Sequence, residues 1–152
     1  MLYFILRACN DGSTKKRLIQ FPAIGLRFPF SWKEGWKRIK AALAFNGFLF
    51  VFSSWEVFVE AASTEDETER EAAMYQAISG LALPNRDTLA YIILHLKCVA
   101  DHKDKNKMDM DNLSKVMGPT IVGYSSSDPT AILSEAEDQR QVMQTLLNIS
   151  DE

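Results

Sequence analysis

Cysteine and histidine are scarce in this chain: Cys9, Cys98, His95 and His102 are all that its 152 residues contain. Two cysteines build neither a disulfide framework nor a multi-cysteine zinc module. Two histidines leave a metal site or a histidine-based hydrolase triad almost nothing to draw on. His102 lies among lysines and aspartates and is read as a solvated side chain. His95 lies in an apolar helical run and is read as a half-buried packing residue. No metal and no covalent catalysis is expected. Long apolar runs are lacking too. The longest, Ala41 to Phe52, is twelve residues interrupted by Asn46 and Gly47, too short to span a bilayer. The apolar start from Met1 to Leu6 has no basic residues before it and is cut by Arg7. A cleaved secretory signal is therefore not expected, and the cytoplasm is the expected location. Phosphate-cradling glycine loops, nucleophile elbows and metal-ligand spacings are missing as well.

What is present suits one soluble domain. The composition is 47% hydrophobic and 24% charged, ordinary for a globular fold with a usable core. The net charge of −3 hides an asymmetry. Residues 1–53 carry nine Lys and Arg against Asp11 and Glu34, whereas residues 54–152 carry eight against eighteen Asp and Glu. Eleven of the sixteen aromatics also fall in the first piece. That break in composition puts a boundary near Ser53.

The second piece reads as helices throughout. Ser53-Ser54-Trp55-Glu56 has the spacing of a capping box and opens a helix from Ser54 to about Ala62. Thr64-Glu65-Asp66-Glu67 opens a second, with Met74, Ile78 and Leu81 as its apolar stripe. Pro84 starts a third, in which Leu89, Ile92, Ile93, Leu96 and Ala100 keep the period. Asp101 to Lys107 reads as a charged loop. A fourth helix begins at Asp109 and Asp111, buries Leu113, Val116 and Met117, and is stopped by Gly118-Pro119. Asp128-Pro129 reads as an N-cap followed by proline, and the last helix buries Val142, Met143, Leu146 and Leu147. No period-two pattern occurs after Ser54, so the piece is read as all-α.

The first piece mixes Pro22, Gly25 and Pro29 with apolar residues between Leu18 and Phe30, which predicts loop or short extended structure. Trp32 to Phe45 predicts an amphipathic helix with Trp32, Trp36, Ile39 and Leu43 on one face. Such a helix could lie on a membrane surface, but packing of its stripe on the acidic helices is the preferred reading. Lys15-Lys16-Arg17 is too short a basic run to mark a nucleic-acid partner.

Three ordered blocks carry a family resemblance: Leu83-Pro84-Asn85-Arg86-Asp87-Thr88-Leu89-Ala90-Tyr91, then Leu94-His95-Leu96, then Lys107-Met108 through Asn112-Leu113 to Gly118-Pro119-Thr120-Ile121-Val122. They resemble the C-terminal half of a Rho GTPase-activating (RhoGAP) domain over roughly residues 54–149. Ala72-Ala73-Met74-Tyr75-Gln76-Ala77 and Asn85 to Ala90 are similar to one branch of the family, the Rac/Rho GTPase-activating subunit of centralspindlin. The resemblance implies an incomplete all-α domain over residues 54–152 behind a basic aromatic segment of unassigned role. Its partner would be a Rho- or Rac-family small GTPase. Signal transduction is implied by the family, and cytokinesis, with the spindle midzone or division site, by the branch. The chain would need no cofactor of its own, since GTP and magnesium belong to the GTPase. It would activate a GTPase without itself being an enzyme.

The resemblance also implies site residues. Asn112 occupies the position of an asparagine that helps to bind the GTPase. On a helical wheel it lies roughly 90° from the Leu113, Val116 and Met117 face. Lys115 lies next to it on the exposed side. The family's catalytic arginine sits in a Gly-x-Phe/Tyr-Arg-x-Ser-Gly loop, supported by a Leu-Lys-x-Phe-Leu-Arg helix, and neither motif is present. Arg38, in Glu34-Gly35-Trp36-Lys37-Arg38-Ile39, is the nearest candidate, yet only sixteen residues separate it from Trp55. Catalytic stimulation is therefore in doubt. The alternative is a non-catalytic interaction fragment, or a truncated product, whose uncovered helical face invites self-association.

Overall fold

The computed structural model describes the backbone of residues 18–21 and 26–29, and residues 54–125, 128, 130 and 134–149. Arg38, the amphipathic stretch from Trp32 to Phe45, Lys15 to Arg17 and Cys9 lie outside the described residues. The mixed stretch in the first piece holds two strands, β1 (Leu18–Phe21) and β2 (Leu26–Pro29), paired antiparallel with Leu18 opposite Pro29 and Phe21 opposite Leu26. This matches the short extended structure expected there. Pro29 stands at the last position of its strand, where a missing amide costs the ladder least.

From Ser54 onward the described chain is all-α. Helix α1 (Trp55–Ser63) buries Trp55, Phe58, Ala61 and Ala62. Ser54 is its N-cap, and the side chain makes no capping hydrogen bond; Ser53, three residues before Glu56 in the expected capping box, lies outside the described residues. The cause is its backbone, near-helical at φ −117°, ψ −3°, where a capping serine needs extended geometry to aim its hydroxyl at the first-turn amides. Helix α2 (Glu67–Ser79) opens later than its acidic run suggested. Asp66, with extended geometry, accepts from the Glu69 amide at 2.9 Å.

Helix α3 (Leu83–Asp101) is the long central element, with Pro84 in its first turn. Leu89, Ile92, Ile93, Leu96 and Val99 are buried as their period requires. Both histidine expectations need correction. His95 is fully buried rather than half-buried. His102 is half-buried, and its Nδ1–H donates to the Cys98 carbonyl at 2.9 Å. The carbonyl can only accept, so this bond sets the tautomer. The charged stretch after α3 is likewise not all loop, since one helical turn, α4 (Lys103–Asn106), interrupts it. Asn106 organises the turn, donating to the Val99 carbonyl at 2.7 Å and accepting from the Met108 amide at 2.8 Å.

Helix α5 (Met110–Ile121) and helix α6 (Ala136–Asn148) form the closest pairing, and α1 and α3 pack against them. Contrary to the sequence reading, Gly118-Pro119 does not stop α5, which runs on to Ile121 with Pro119 inside it. A proline this near the end deletes a single hydrogen bond, and the Val122 amide still reaches the Gly118 carbonyl at 2.9 Å. Gly118 serves the helix crossing instead: a Cβ there would lie 3.1 Å from Gln139 Cβ and 3.2 Å from its backbone carbon and oxygen. Gln139 is buried and donates through Nε2 to the Gly123 carbonyl at 2.7 Å. Gly123 takes φ 78°, the conformation glycine adopts without penalty. After it, Asp128 accepts from the amide and hydroxyl of Thr130 at 2.9 and 2.8 Å; the helix expected from Asp128-Pro129 lies outside the described residues. The core gathers Leu113, Met117 and Ile121 of α5 with Val142, Met143, Leu146 and Leu147 of α6. None of the described helices is long and apolar enough to cross a membrane.

Candidate functional site

The start of α5 presents the residues that the motif singles out. Asp109 caps the helix, its carboxylate accepting from the Asn112 amide at 2.8 Å. The Asn112 side chain is exposed, and Nδ2 makes one long contact, 3.4 Å, to the Lys107 carbonyl. The buried face of α5 is Leu113, Ser114, Met117, Gly118 and Ile121, with Val116 only half-buried. Measured from the centre of that face at 100° per residue, Asn112 points about 170° away, much further than the sequence reading had it. The shift has two causes. Ser114 can be buried because its hydroxyl donates to the Met110 carbonyl at 2.7 Å, and Gly118 is buried because α6 crosses there.

Lys115 stands one turn on from Asn112, exposed, with its ammonium 2.6 Å from Asp111 Oδ2. The other oxygen of Asp111 faces α6, accepting from Gln144 Nε2 at 2.9 Å and Arg140 Nη1 at 3.2 Å. Arg140 is also paired with Glu137 on its own helix. Asp111, Arg140 and Gln144 were not singled out from sequence. The i,i+4 spacing of Asp111 and Lys115 was the only visible signal. The Lys115 hydrogen bond and charge, followed by those of Arg140, hold the Asp111 carboxyl below the usual carboxylate range. Arg140 does the same to Glu137, and the Arg140 guanidinium is raised in turn.

These shifts give a signed pH dependence. A carboxyl lowered in the folded state adds stability that is complete above its unfolded value, about pH 4, and is lost as the pH falls through the lowered one. Asp111→Asn should therefore be less stable than the parent chain at pH 7, and the gap should close on acidification towards pH 3. Urea melts at both pH values check this; a gap that persists at pH 3 would mean the carboxylate charge is not its source.

The remaining arginines with described side chains lie away from this surface, on α2 and α3. Arg70 donates to the carbonyls of Thr64 and Glu65 at 3.0 and 3.3 Å, at the rim of an open polar cleft between α2 and α6. Arg86 lies in the first turn of α3 with Nε buried and without a hydrogen-bond partner. Among the described residues no group of three or more His, Cys, Asp or Glu could hold a metal ion. The surface around Asn112 thus offers an amide and an ammonium on a capped helix, which can recognise a partner's polar groups.

The RhoGAP domain model matches residues 45–126, a stretch that includes α1 through α5 and Asn112. The chain belongs to the RhoGAP family. Mouse Rac GTPase-activating protein 1 is 43% identical over 103 residues, covering 66% of this chain and 16% of that protein. Mouse Rho GTPase-activating protein 23 is 36% identical over 103 residues, covering 68% of this chain and 7% of that protein. The crystal structure of human Rho GTPase activating protein 15 superposes with a TM-score of 0.60 at 30% identity, covering 65% of this chain and 46% of that one. This RhoGAP chain therefore spans a small part of the curated relatives' length. Their names overturn one expectation, that the chain is not an enzyme. GTPase-activating proteins are GTPase-stimulating enzymes, counted as hydrolase activators. The physical reason is that an activator completing a partner's site is released unchanged, and so acts catalytically in the hydrolysis.

Proposed function

We propose that this RhoGAP module docks on Rho- or Rac-family small GTPases in their GTP state through the exposed start of α5, with Asn112 as the main polar contact and Lys115 beside it. The observation that carries the reading is the placement of Asn112. Its backbone is tied to the Asp109 cap while its amide points away from the core, nearly uncommitted. A short side chain with two rotatable bonds, on a backbone already ordered by a cap, has little entropy to lose on binding. The docked GTPase brings its own GTP and magnesium. Residues 54–152 act as the partial domain, and residues 1–53 form a separate basic segment. Work in the cytoplasm at the division site is part of the same proposal, carried by the resemblance of Ala72 to Ala77 and Asn85 to Ala90 to the centralspindlin branch.

Stimulation of hydrolysis is proposed to be small. Arg70 and Arg140 are engaged with their own chain, and the guanidinium of Arg86 has its Nε buried in the first turn of α3, so none of them is free to enter a partner's nucleotide site. Docking itself is tested by titrating a Rac-type GTPase, loaded with a non-hydrolysable GTP analogue, with the parent chain and with Asn112→Ala. Loss of one or two interfacial hydrogen bonds should weaken binding about tenfold. The helix should be unharmed, since alanine favours it. Equal affinities would remove Asn112 from the interface.

A further inference from the structure

Three side chains converge on one carboxylate next to Asn112. Asp111 Oδ2 accepts from the Lys115 ammonium at 2.6 Å, while Oδ1 accepts from Gln144 at 2.9 Å and Arg140 at 3.2 Å. Lys115 is on the same helix as Asp111, and the other two are on α6, 33 and 29 residues along the chain. The cluster lies at the surface, with the Lys115 side chain 57% and that of Asp111 45% exposed, so core packing does not call for it.

We infer that Asp111 is a positioning residue for GTPase docking: its carboxylate holds the Lys115 ammonium beside Asn112 and ties that pair to α6 through Arg140 and Gln144. The inference rests on the reading of the Asn112 face as the docking surface. A lysine on a flexible stem loses rotamer freedom when a partner immobilises it. A lysine already held by a carboxylate on its own helix has lost that freedom before the partner arrives, and preorganisation of this kind raises affinity without adding a contact. The split use of the two oxygens matters. One alone serves Lys115, so the α6 donors brace the carboxylate without displacing the ammonium. Arg140 is in turn held by Glu137, which keeps its guanidinium from drawing Asp111 away from Lys115.

The test is a double-mutant cycle on the full 152-residue chain, read as affinity for the Rac-type GTPase carrying the non-hydrolysable analogue. Asp111→Asn should weaken binding about threefold in the parent background, the scale of an exposed ion pair. In a Lys115→Met background it should cost nothing further, because the residue through which it acts is gone. Asp111→Glu, which keeps the charge, should recover part of the loss. An equal loss in both backgrounds would make Asp111 a structural residue and overturn the inference. So would unchanged affinity of Asp111→Asn where Asn112→Ala binds weakly. If Asn112→Ala also binds normally, the docking surface itself is wrong. Should Asp111→Asn lack a cooperative melt, Arg140→Gln takes its place in the cycle with the same expectation, and equal loss in both backgrounds again refutes it.

Discussion

Gly118→Val is expected to cost this domain about 3 kcal/mol of stability, a large share of the 5–15 kcal/mol typical of a natural domain. Any side chain at 118 begins with a Cβ 3.1–3.2 Å from Gln139, and two of the three atoms it meets are backbone. Backbone cannot swing aside as a side-chain tip can, so α6 must move as a body. Moving it strains the 2.7 Å bond from Gln139 to the Gly123 carbonyl, and a buried acceptor left without a donor costs about 1–3 kcal/mol. The gain in helix propensity on leaving glycine is under about 1 kcal/mol, and a β-branched residue recovers only part of it. Thermal melts of the parent, Gly118→Ala and Gly118→Val should fall in that order, with the valine chain more than about 10 °C below the parent. The effect should spread beyond stability, because a displaced α6 carries Arg140 and Gln144 away from Asp111. A valine chain that melts with the parent would show that the crossing has slack.

This glycine shows where local rules fail. Gly-Pro reads as a helix stop because proline lacks an amide and restricts its predecessor. Inside the fold, the missing bond falls in the last turn of α5, and the demand for close approach to α6 outweighs it. The residues that obey the local rules are those whose partners are near in sequence. Helix α3 follows its 3.6-residue stripe almost residue by residue, and Asp109 acts as the cap its type suggests. Ser54 makes no capping bond because its backbone is near-helical rather than extended. The position of Asn112 was legible only through the family's motif. Its direction was misjudged because the buried face of α5 includes Ser114 and Gly118, which no hydrophobic pattern marks. The link from Asp111 to Arg140 spans 29 residues, and nothing in one helix announces a partner on another.

Single-turnover hydrolysis by a Rac-type GTPase is expected to rise less than about tenfold when this chain is added in stoichiometric excess, against the 10³–10⁵ that an arginine supplied in trans is worth. Charge on the transferring phosphoryl group must be met by a cation that is in place at the transition state and free to be there. Arg140 is already neutralised by Asp111 and Glu137, and Arg70 is committed to two carbonyls of its own chain. Withdrawing either guanidinium would strand its present partners. Docking through the proposed Asn112 and Lys115 surface would supply positioning without that cation, so only a modest rise is expected. Saturation of the small effect should follow the binding curve, and Asn112→Ala should shift the midpoint without changing the plateau. A plateau a hundredfold or more above the intrinsic rate would contradict the expectation and require a guanidinium from the segment before α1. Arg38→Ala would then be the decisive variant, since Arg38 is the arginine there whose neighbours come nearest to the family's loop.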